Sequence, residues 1–260
     1  MKLTKILFMV LFVVLLPALN NYSQPISHLI DEGDKYYKQF NNEKALEVFK
    51  NAEKTDPNNF EILWRISRSL VEIAEKMPEN TGEQKDEQVA TYQKGLEYAD
   101  KAVNIEPDNS IGYLRRAIAN GRIALFKGIF SVAGVVNSVR ADCEKAIQLN
   151  NGGNFIQGVA HYVLARTNAK TSEKWKPARA ILGLGWADND IALEEYKKAI
   201  ALYPGYLMFY VDYAISLNRE DDYKTAREML NKAFTCQKQN QDDDSRLAEA
   251  KNIMAEIKDK

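Results

Sequence analysis

The stretch Ala192-Leu-Glu-Glu-Tyr-Lys-Lys-Ala199, with Pro204 five residues after it, sets a pattern that recurs along the chain. A small, an aromatic and a second small residue stand at i, i+4 and i+7, which share one face of an α-helix. The same order occurs in Ala45-Leu-Glu-Val-Phe-Lys-Asn-Ala52, and Pro57 follows. Proline lacks an amide hydrogen and disfavours helix in the residue before it. The spacing therefore predicts a repeated helical unit that ends at a proline.

Three more stretches keep this face with one or more of its residues changed. A preceding helix is indicated as well, because Gly33 stands 12 residues before Ala45 and Ala214 stands 12 residues before Ala226. The pattern is that of the tetratricopeptide (TPR) repeat, a helical hairpin of about 34 residues with small side chains where the helices touch. The further copies are Gly95/Ala99/Ala102 with Pro107, Val139/Cys143/Ala146 with Asn151 in place of proline, and Ala226/Leu230/Ala233.

Stacking is required because a single hairpin cannot bury its apolar face alone. We predict an all-α, TPR-like α-solenoid of about five helical hairpins, forming one superhelical domain over residues 24–260. The hydrophobic stripe after Asp242-Asp243-Asp244-Ser245 predicts a C-terminal capping helix that covers the last repeat, the alternative being a free recruitment helix. The expected repeats are 26–59, 60–109, 110–153, 154–206 and 207–240, with the capping helix at 244–258.

The repeats are unevenly spaced, which indicates three insertions. Residues 77–87 are polar and are expected to form a loop. Residues 123–136 and 175–186 are instead apolar and rich in glycine. If these two fold inward, they line an apolar pocket in repeats 3 and 4; the alternative is that each lengthens a helix and buries itself.

The segment Glu61-Ile-Leu-Trp64-Arg65-Ile-Ser-Arg68 resembles a motif of the regulator of microtubule dynamics (RMDN) family. The resemblance covers most of residues 30–258. It implies a helical-repeat fold and a role in binding without catalysis. Members of that family are intracellular and often membrane-anchored, so a tubulin role is not expected to transfer to a chain with an export signal. Further matching stretches are 95–99, 146–149, 161–164 with Trp175, Arg179 and Gly185, and 199–205.

The amino terminus has the pattern of a signal peptide. Lys2 and Lys5 precede an unbroken apolar run over residues 6–16, which is too short to span a bilayer. We expect residues 1–23 to be removed near Ser23, the alternative being an uncleaved anchor. The chain is then exported, periplasmic or secreted, and has no stable membrane span after cleavage.

Composition and motifs argue against catalysis and against nucleic acid. The formal net charge is -1, so no global charge favours a polyanion. The two histidines, His28 and His161, and the two cysteines, Cys143 and Cys236, are isolated from one another in the sequence and match no catalytic or metal-binding motif. We therefore expect no enzyme activity, no cofactor and no metal. The repeat geometry places the cysteines about 15–20 Å apart, too far for a disulfide, which predicts two free thiols.

The first helix of each TPR hairpin is expected to line the concave face. Guanidinium groups beside aromatic rings there suit carboxylates, phosphates or an acidic peptide. The alternatives are that these arginines pair with acidic residues of the next helix, and that the aromatics only pack between repeats. The candidates for this face or its rim are Trp64, Arg68, Arg115, Arg122, Tyr162, Arg166 and Arg219.

Two functions follow from these features. The leading one is an extracytoplasmic scaffold or adaptor that binds a protein or peptide through the concave face. The alternative is a carrier of a lipid or other apolar ligand, held in the pocket of the two apolar insertions. The candidate pocket residues are Phe126, Ile129, Phe130, Ile181, Leu182 and Trp186.

Overall fold

The computed structural model describes residues 25–260, and within that range the chain is α-helical with no β-strand. The expected signal peptide at 1–23 lies outside the described residues. The helices are α1 Ile26–Lys38, α2 Asn42–Thr55, α3 Phe60–Lys76, α4 Gly82–Ile105, α5 Ser110–Lys127, α6 Ala133–Leu149, α7 Gly153–Ser172, α8 Lys176–Ile181, α9 Asn189–Leu202, α10 Leu207–Arg219, α11 Tyr223–Ala233 and α12 Asp243–Glu256, with a 3₁₀ turn at Ile129–Val132.

Consecutive helices pair as hairpins, and each hairpin packs on the next. The pairs are α1 with α2, α3 with α4, α5 with α6, α7 with α9, and α10 with α11, while α8 lies in the connection of the fourth hairpin. Helix α12 packs on both α10 and α11 and buries Ala250 and Ile257 completely. The predicted α-solenoid of five hairpins with a capping helix is therefore confirmed.

The repeated face predicted from the sequence forms the core of the hairpins. Ala45, Phe49 and Ala52 are fully buried. The equivalent residues of the other repeats are buried in the same way, including Cys143, which takes the aromatic position of the third repeat. Both cysteines are free thiols, as predicted.

The polar stretch 77–87 differs from its predicted form, because the loop ends at Thr81 and residues from Gly82 onward belong to α4. Thr81 accepts a hydrogen bond from the amide of Gln84 (3.2 Å), and the Gln84 side chain accepts one from the amide of Thr81 (3.1 Å). This capping box satisfies amide groups that a helix start leaves unpaired. The loop prediction is wrong for the second half of this stretch. The first turns of α4 are exposed, and an exposed helix needs no regular spacing of apolar residues by which it could be recognised in the sequence.

The two apolar insertions pack against each other at one edge of the superhelix. Gly128, with φ 86°, ends α5 before the 3₁₀ turn. In the second insertion Leu184 is fully buried against Ile129 and Val136 of the first. Trp186 donates its Nε1 hydrogen to Asn137 Oδ1 at 2.8 Å, which ties the second insertion to α6.

Residues 234–242, here termed the strap, join the two ends of the curved solenoid. Gln241 Nε2 donates to the carbonyl oxygen of Glu72 (2.7 Å), and Asn42 Nδ2 donates to Gln241 Oε1 (3.2 Å). Lys76 forms an ion pair with Asp242. The strap therefore bridges the opening of the superhelix, and its contacts join residues more than 160 positions apart in sequence.

Among residues 25–260, no helix combines the length and apolar character needed to cross a bilayer.

Candidate ligand-binding cavity

A cavity of about 440 Å³ lies inside the curve of the solenoid. Its wall receives side chains from the first helix of all five hairpins, namely α1, α3, α5, α7 and α10, and from the strap. Apolar residues such as Leu114, Val139 and Val159 form much of this wall, together with the rings of Tyr162 and Tyr206. Seven basic and three acidic side chains are set into it. Its volume is typical of small-ligand sites.

Among the arginines of the wall in the described chain, Arg115 of α5 is the one that forms no ion pair, whereas Arg68, Arg122 and Arg166 each have a carboxylate partner. Burial, followed by the charge of nearby Arg68, lowers the pKa of Arg115 to about 10, so that its guanidinium is still protonated at neutral pH. Among residues 25–260 no carboxylate forms an ion pair with it; the charge of Glu72 acts on it only from a greater distance, and its Nε has no hydrogen-bond partner. A half-buried cation without a counterion is costly, so this position favours an anionic group of a ligand.

Arg68 of α3 is held in place by contacts with side chains of α1. Its Nη2 lies 2.8 Å from Asp34 Oδ1, and its guanidinium stands over the Tyr37 ring at 3.5 Å. Burial opposes ionisation of Asp34, but the hydrogen bond from Arg65 and the charge of Arg68 lower the pKa of that carboxyl. The ring of Trp64 lies near two arginines of the wall, at 4.9 Å from the Arg68 guanidinium and 5.4 Å from the Arg115 guanidinium. Trp64 supports the two arginines and is not itself part of the cavity wall.

An acidic pair on α3 faces the cavity near the strap. Burial raises the pKa of Glu75 to about 8, although Arg122 is paired with it; Glu72 and Asp242 add to the rise. Burial likewise raises the pKa of Glu72. Glu75 is therefore able to keep its proton at neutral pH, while Arg115 remains cationic.

Arg166 and Tyr162 of α7 line the wall and share one partner behind it. Tyr162 donates its hydroxyl hydrogen to Asp212 Oδ2 at 2.6 Å, and Arg166 Nε lies 3.6 Å from the same oxygen. Arg246 of the capping helix pairs with the other oxygen of Asp212. Burial opposes ionisation of Asp212, but these arginines lower the pKa of its carboxyl.

Five of the seven candidates predicted for the concave face thus line one cavity: Arg68, Arg115, Arg122, Tyr162 and Arg166. Arg219 lies outside it, because it donates to the carbonyl of Ala169 (2.9 Å) and to Asn189 Oδ1 (3.0 Å) and so joins neighbouring hairpins. Internal pairing, the alternative weighed for the arginines, holds for Arg68, Arg122 and Arg166. Arg115 and Arg219 form no ion pair within residues 25–260, and Arg219 is instead held by neutral oxygen atoms.

The expectation that both apolar insertions fold inward needs correction. Of the six candidate pocket residues, the wall contains Ile129. Phe126 packs toward the α3–α5 core and Trp186 toward α6. Phe130, Ile181 and Leu182 point to solvent instead, with 39%, 85% and 37% of their surface exposed. The insertions bury each other's inner faces, and this leaves their outer side chains without a partner.

Several wall residues were not singled out from the sequence. Tyr37, Phe155 and Tyr206 line the cavity with the strap residues Lys238 and Asn240. Asn240 donates to the Tyr206 hydroxyl oxygen at 2.7 Å, which fixes the strap over the wall. No repeat pattern places the strap there, because it follows the last hairpin. Tyr37 and Phe155 could have been found from their positions on first helices, and Tyr206 from its place directly before α10.

His161 lies on α7 away from this wall. Its Nδ1 is 2.5 Å from Glu195 Oε2, so the ring is held between the two helices of the fourth hairpin. Among the described residues no group of three or more His, Cys, Asp and Glu side chains is placed to hold a metal ion.

Comparison with known proteins gives the family and the fold. The sequence profile described as Regulator of microtubule dynamics protein 1-3 matches residues 29–258. TTC0263, a thermophilic TPR protein of Thermus thermophilus, is 18% identical, with a TM-score of 0.62 over 88% of this chain and 100% of that chain. PilW, a type IV pilus biogenesis factor, is 14% identical, with a TM-score of 0.54 over 90% of this chain and 91% of that chain. No curated protein matches the sequence.

Proposed function

We propose that this chain, which belongs to the Regulator of microtubule dynamics protein 1-3 family, is a TPR scaffold that binds a short segment of a partner protein in its concave cavity. The observation that carries the proposal is Arg115, a protonated guanidinium that has no carboxylate in ion-pair contact among the described residues and is set into a largely apolar wall. A segment that combines a carboxylate with apolar side chains complements both features.

The size and closure of the cavity favour a short segment. About 440 Å³ holds only a few side chains, and the strap blocks a long peptide from lying along the groove. A peptide end, or a tight turn that presents an acidic residue, fits this shape. The fold likeness to other TPR proteins is consistent with such a role.

Affinity selection of displayed random peptides on the purified protein tests the proposal. We expect enrichment of sequences in which a carboxylate adjoins one or two apolar residues, and we expect the Arg115→Met variant to lose them. Arg140→Met is the matched control, because Arg140 pairs with Glu144 outside the cavity. Peptides without any carboxylate preference, or equal capture by Arg115→Met, would count against the proposal.

A second candidate is a carrier of a lipid or other apolar ligand with an anionic head. Its support is the mainly apolar wall, to which the first insertion contributes Ala124, Leu125, Ile129 and Val136, whereas the second insertion contributes no wall residue in the described chain. Native mass spectrometry of the purified protein separates the candidates. A bound acyl-chain molecule supports the carrier, while an empty protein that takes up no acyl chain removes it.

We also propose that the chain works outside the cytoplasm. The support is the sequence of residues 1–23, in which Lys2 and Lys5 precede a short apolar run. Mass spectrometry of the amino terminus of the mature protein is the test. A terminus near residue 24 is expected, and an intact Met1 in the protein at its working location contradicts cleavage.

A further inference from the structure

The outer side of the paired insertions carries a concentration of exposed apolar side chains. Ten large hydrophobic residues of the described chain are exposed, and five of them belong to the segments 123–136 and 175–186. Trp175 and Ile181 are the most exposed of all, at 72% and 85%. Single exposed hydrophobics are ordinary, but a cluster on one pair of packed segments indicates an interaction surface. The five are Leu125, Phe130, Trp175, Ile181 and Leu182; Leu125 also lines the cavity, so the outer surface consists of Phe130, Trp175, Ile181 and Leu182.

The charge of these segments is one-sided. Residues 123–141 contain no acidic side chain, and neither do residues 174–187. Lys127, Lys174 and Lys176 lie there, whereas the whole protein carries 36 acidic and 35 basic residues. The neighbouring Glu173 is already paired with Lys170 at 3.0 Å. A basic rim around exposed apolar side chains complements a surface that is anionic outside and apolar beneath.

The second insertion is held rigidly although its tip is exposed. Arg179 is buried, its Nε donates to the carbonyl of Lys174 at 2.9 Å, and its Nη1 donates to the carbonyl of Ala187. Arg140 stands over the Trp186 ring at 4.8 Å. The exposed tip residues are therefore presented on a fixed support, so that little conformational entropy is lost when they bind.

We infer that this surface, formed by the outer side chains of segments 123–136 and 174–186, docks the protein on an anionic lipid bilayer. Trp175 and Ile181 enter the interface between headgroups and acyl chains, where the amphipathic ring of tryptophan is favoured. Lys127, Lys174 and Lys176 attract the anionic headgroups. The protein lies on the membrane and does not span it, and this role is separate from ligand binding in the cavity.

Vesicle binding with tryptophan fluorescence tests the inference on the whole protein. The probes are phosphatidylcholine vesicles with and without about 30% phosphatidylglycerol, at low salt and at about 0.5 M salt. We expect binding to the anionic vesicles that weakens with salt. The emission should shift to the blue, because Trp64 is buried and Trp186 is partly buried, which leaves Trp175 as the exposed reporter.

Paired variants separate docking from unfolding. Trp175→Ser/Ile181→Ser should weaken partition into anionic vesicles by about tenfold or more, with an unchanged circular dichroism spectrum. Ile105→Ser is the control, since Ile105 is 43% exposed at the end of α4 outside the insertions, and it should bind like the wild type.

Three results overturn the inference. The first is a wild-type protein that does not bind anionic vesicles, and the second is a double variant that binds them as well as the wild type does. The third is a concentration-dependent dimer that the double variant abolishes while neither protein binds vesicles. That result assigns the surface to a second copy of the chain.

Discussion

Gly33 shows how one missing side chain sets the approach of α1 to α2. A Cβ atom at this position would lie closer than 3.0 Å to three atoms of the Phe49 ring, which is fully buried. Because the ring has no free space, Gly33→Ala should destabilise the fold by about 1–3 kcal/mol, the usual cost of overpacking. Urea denaturation measures this change.

Gly121→Ala on α5 is the matched control, since nothing lies within 4 Å of the added methyl group. It should leave stability unchanged or raise it by up to about 1 kcal/mol, the difference in helix propensity. A Gly33→Ala protein as stable as Gly121→Ala would contradict the close packing described for the first hairpin.

Arg115 is expected to lower stability while it serves binding. Its pKa is lowered to about 10 in the folded state, so folding disfavours its charged form. Arg115→Met should therefore raise the free energy of unfolding of the ligand-free protein, by on the order of 1–2 kcal/mol, and weaken peptide binding at least about tenfold. Denaturation and fluorescence anisotropy give the two values. A loss of stability in this variant would indicate that Arg115 has a structural role.

At the residue scale, the sequence predicted which side chains face the concave side but not how each is partnered. Helical spacing placed Arg68, Arg115 and Arg166 on first helices, and all three line the cavity. The carboxylate partners of Arg68 and Arg166, which are Asp34 and Asp212, come from other helices. Such pairings depend on the angle between hairpins, which the spacing of small residues does not specify. Arg115 could not have been distinguished from its neighbours without the coordinates.

Helix α4 is longer than its apolar pattern indicates, and its start depends on polar contacts. Thr81→Ala removes the side-chain acceptor for the Gln84 amide and should cost about 1 kcal/mol. Amide hydrogen exchange of residues 82–88 should rise while exchange in α3 stays unchanged. Thr81→Ser keeps the acceptor and should behave like the wild type. Equal exchange in the alanine and serine variants would mean that the capping box does not hold this end.

At the element scale, repeats were predictable and insertions were less so. The small-aromatic-small face identified the second helix of each hairpin because the close contact between paired helices demands it. No such contact constrains the insertions. Gln88, in the first turns of α4, anchors it by donating to the carbonyl of Ala74 at 2.8 Å. A single polar contact of this kind leaves no repeating pattern in the sequence, so the sequence of residues 77–87 indicates a loop.

Glu75 of α3 is buried near the strap, and its raised pKa should make the stability of the fold depend on pH. Below pH 4.5, the ordinary pKa of a glutamic acid, Glu75 is protonated in both the folded and the unfolded protein. Between 4.5 and about 8 the unfolded chain releases this proton while the folded protein keeps it. The free energy of unfolding should therefore fall as pH rises through this window, by at most about 1.4 kcal/mol per pH unit from this group.

Glu75→Gln removes this pH-dependent contribution to stability. Between about pH 5 and about pH 8, the free energy of unfolding of the variant should therefore rise relative to that of the wild type, by on the order of 1 kcal/mol or more. Glu97→Gln, on α4 away from the strap, serves as the control and should show no such trend. Thermal denaturation across this range measures both. A constant difference for Glu75→Gln would mean that the carboxyl ionises normally in the folded protein.

At the scale of the whole molecule, the stacked hairpins were predictable, whereas the closure of the superhelix was not. Closure depends on the summed rotation of five hairpins, and a small error in each moves the ends far apart. Here the ends meet, and Gln241 binds both Asn42 and Glu72. The concave face consequently forms a cavity that the strap spans, which changes the kind of ligand it suits.

A crystal structure of the protein with a peptide from the affinity selection tests the central claim, that the covered cavity is the binding site. The account predicts the peptide inside the cavity, with its carboxylate within hydrogen-bond distance of the Arg115 guanidinium and its apolar side chains against Leu114 and Val159. A peptide bound on the convex surface, or along an opened groove without contact to Arg115, would contradict it.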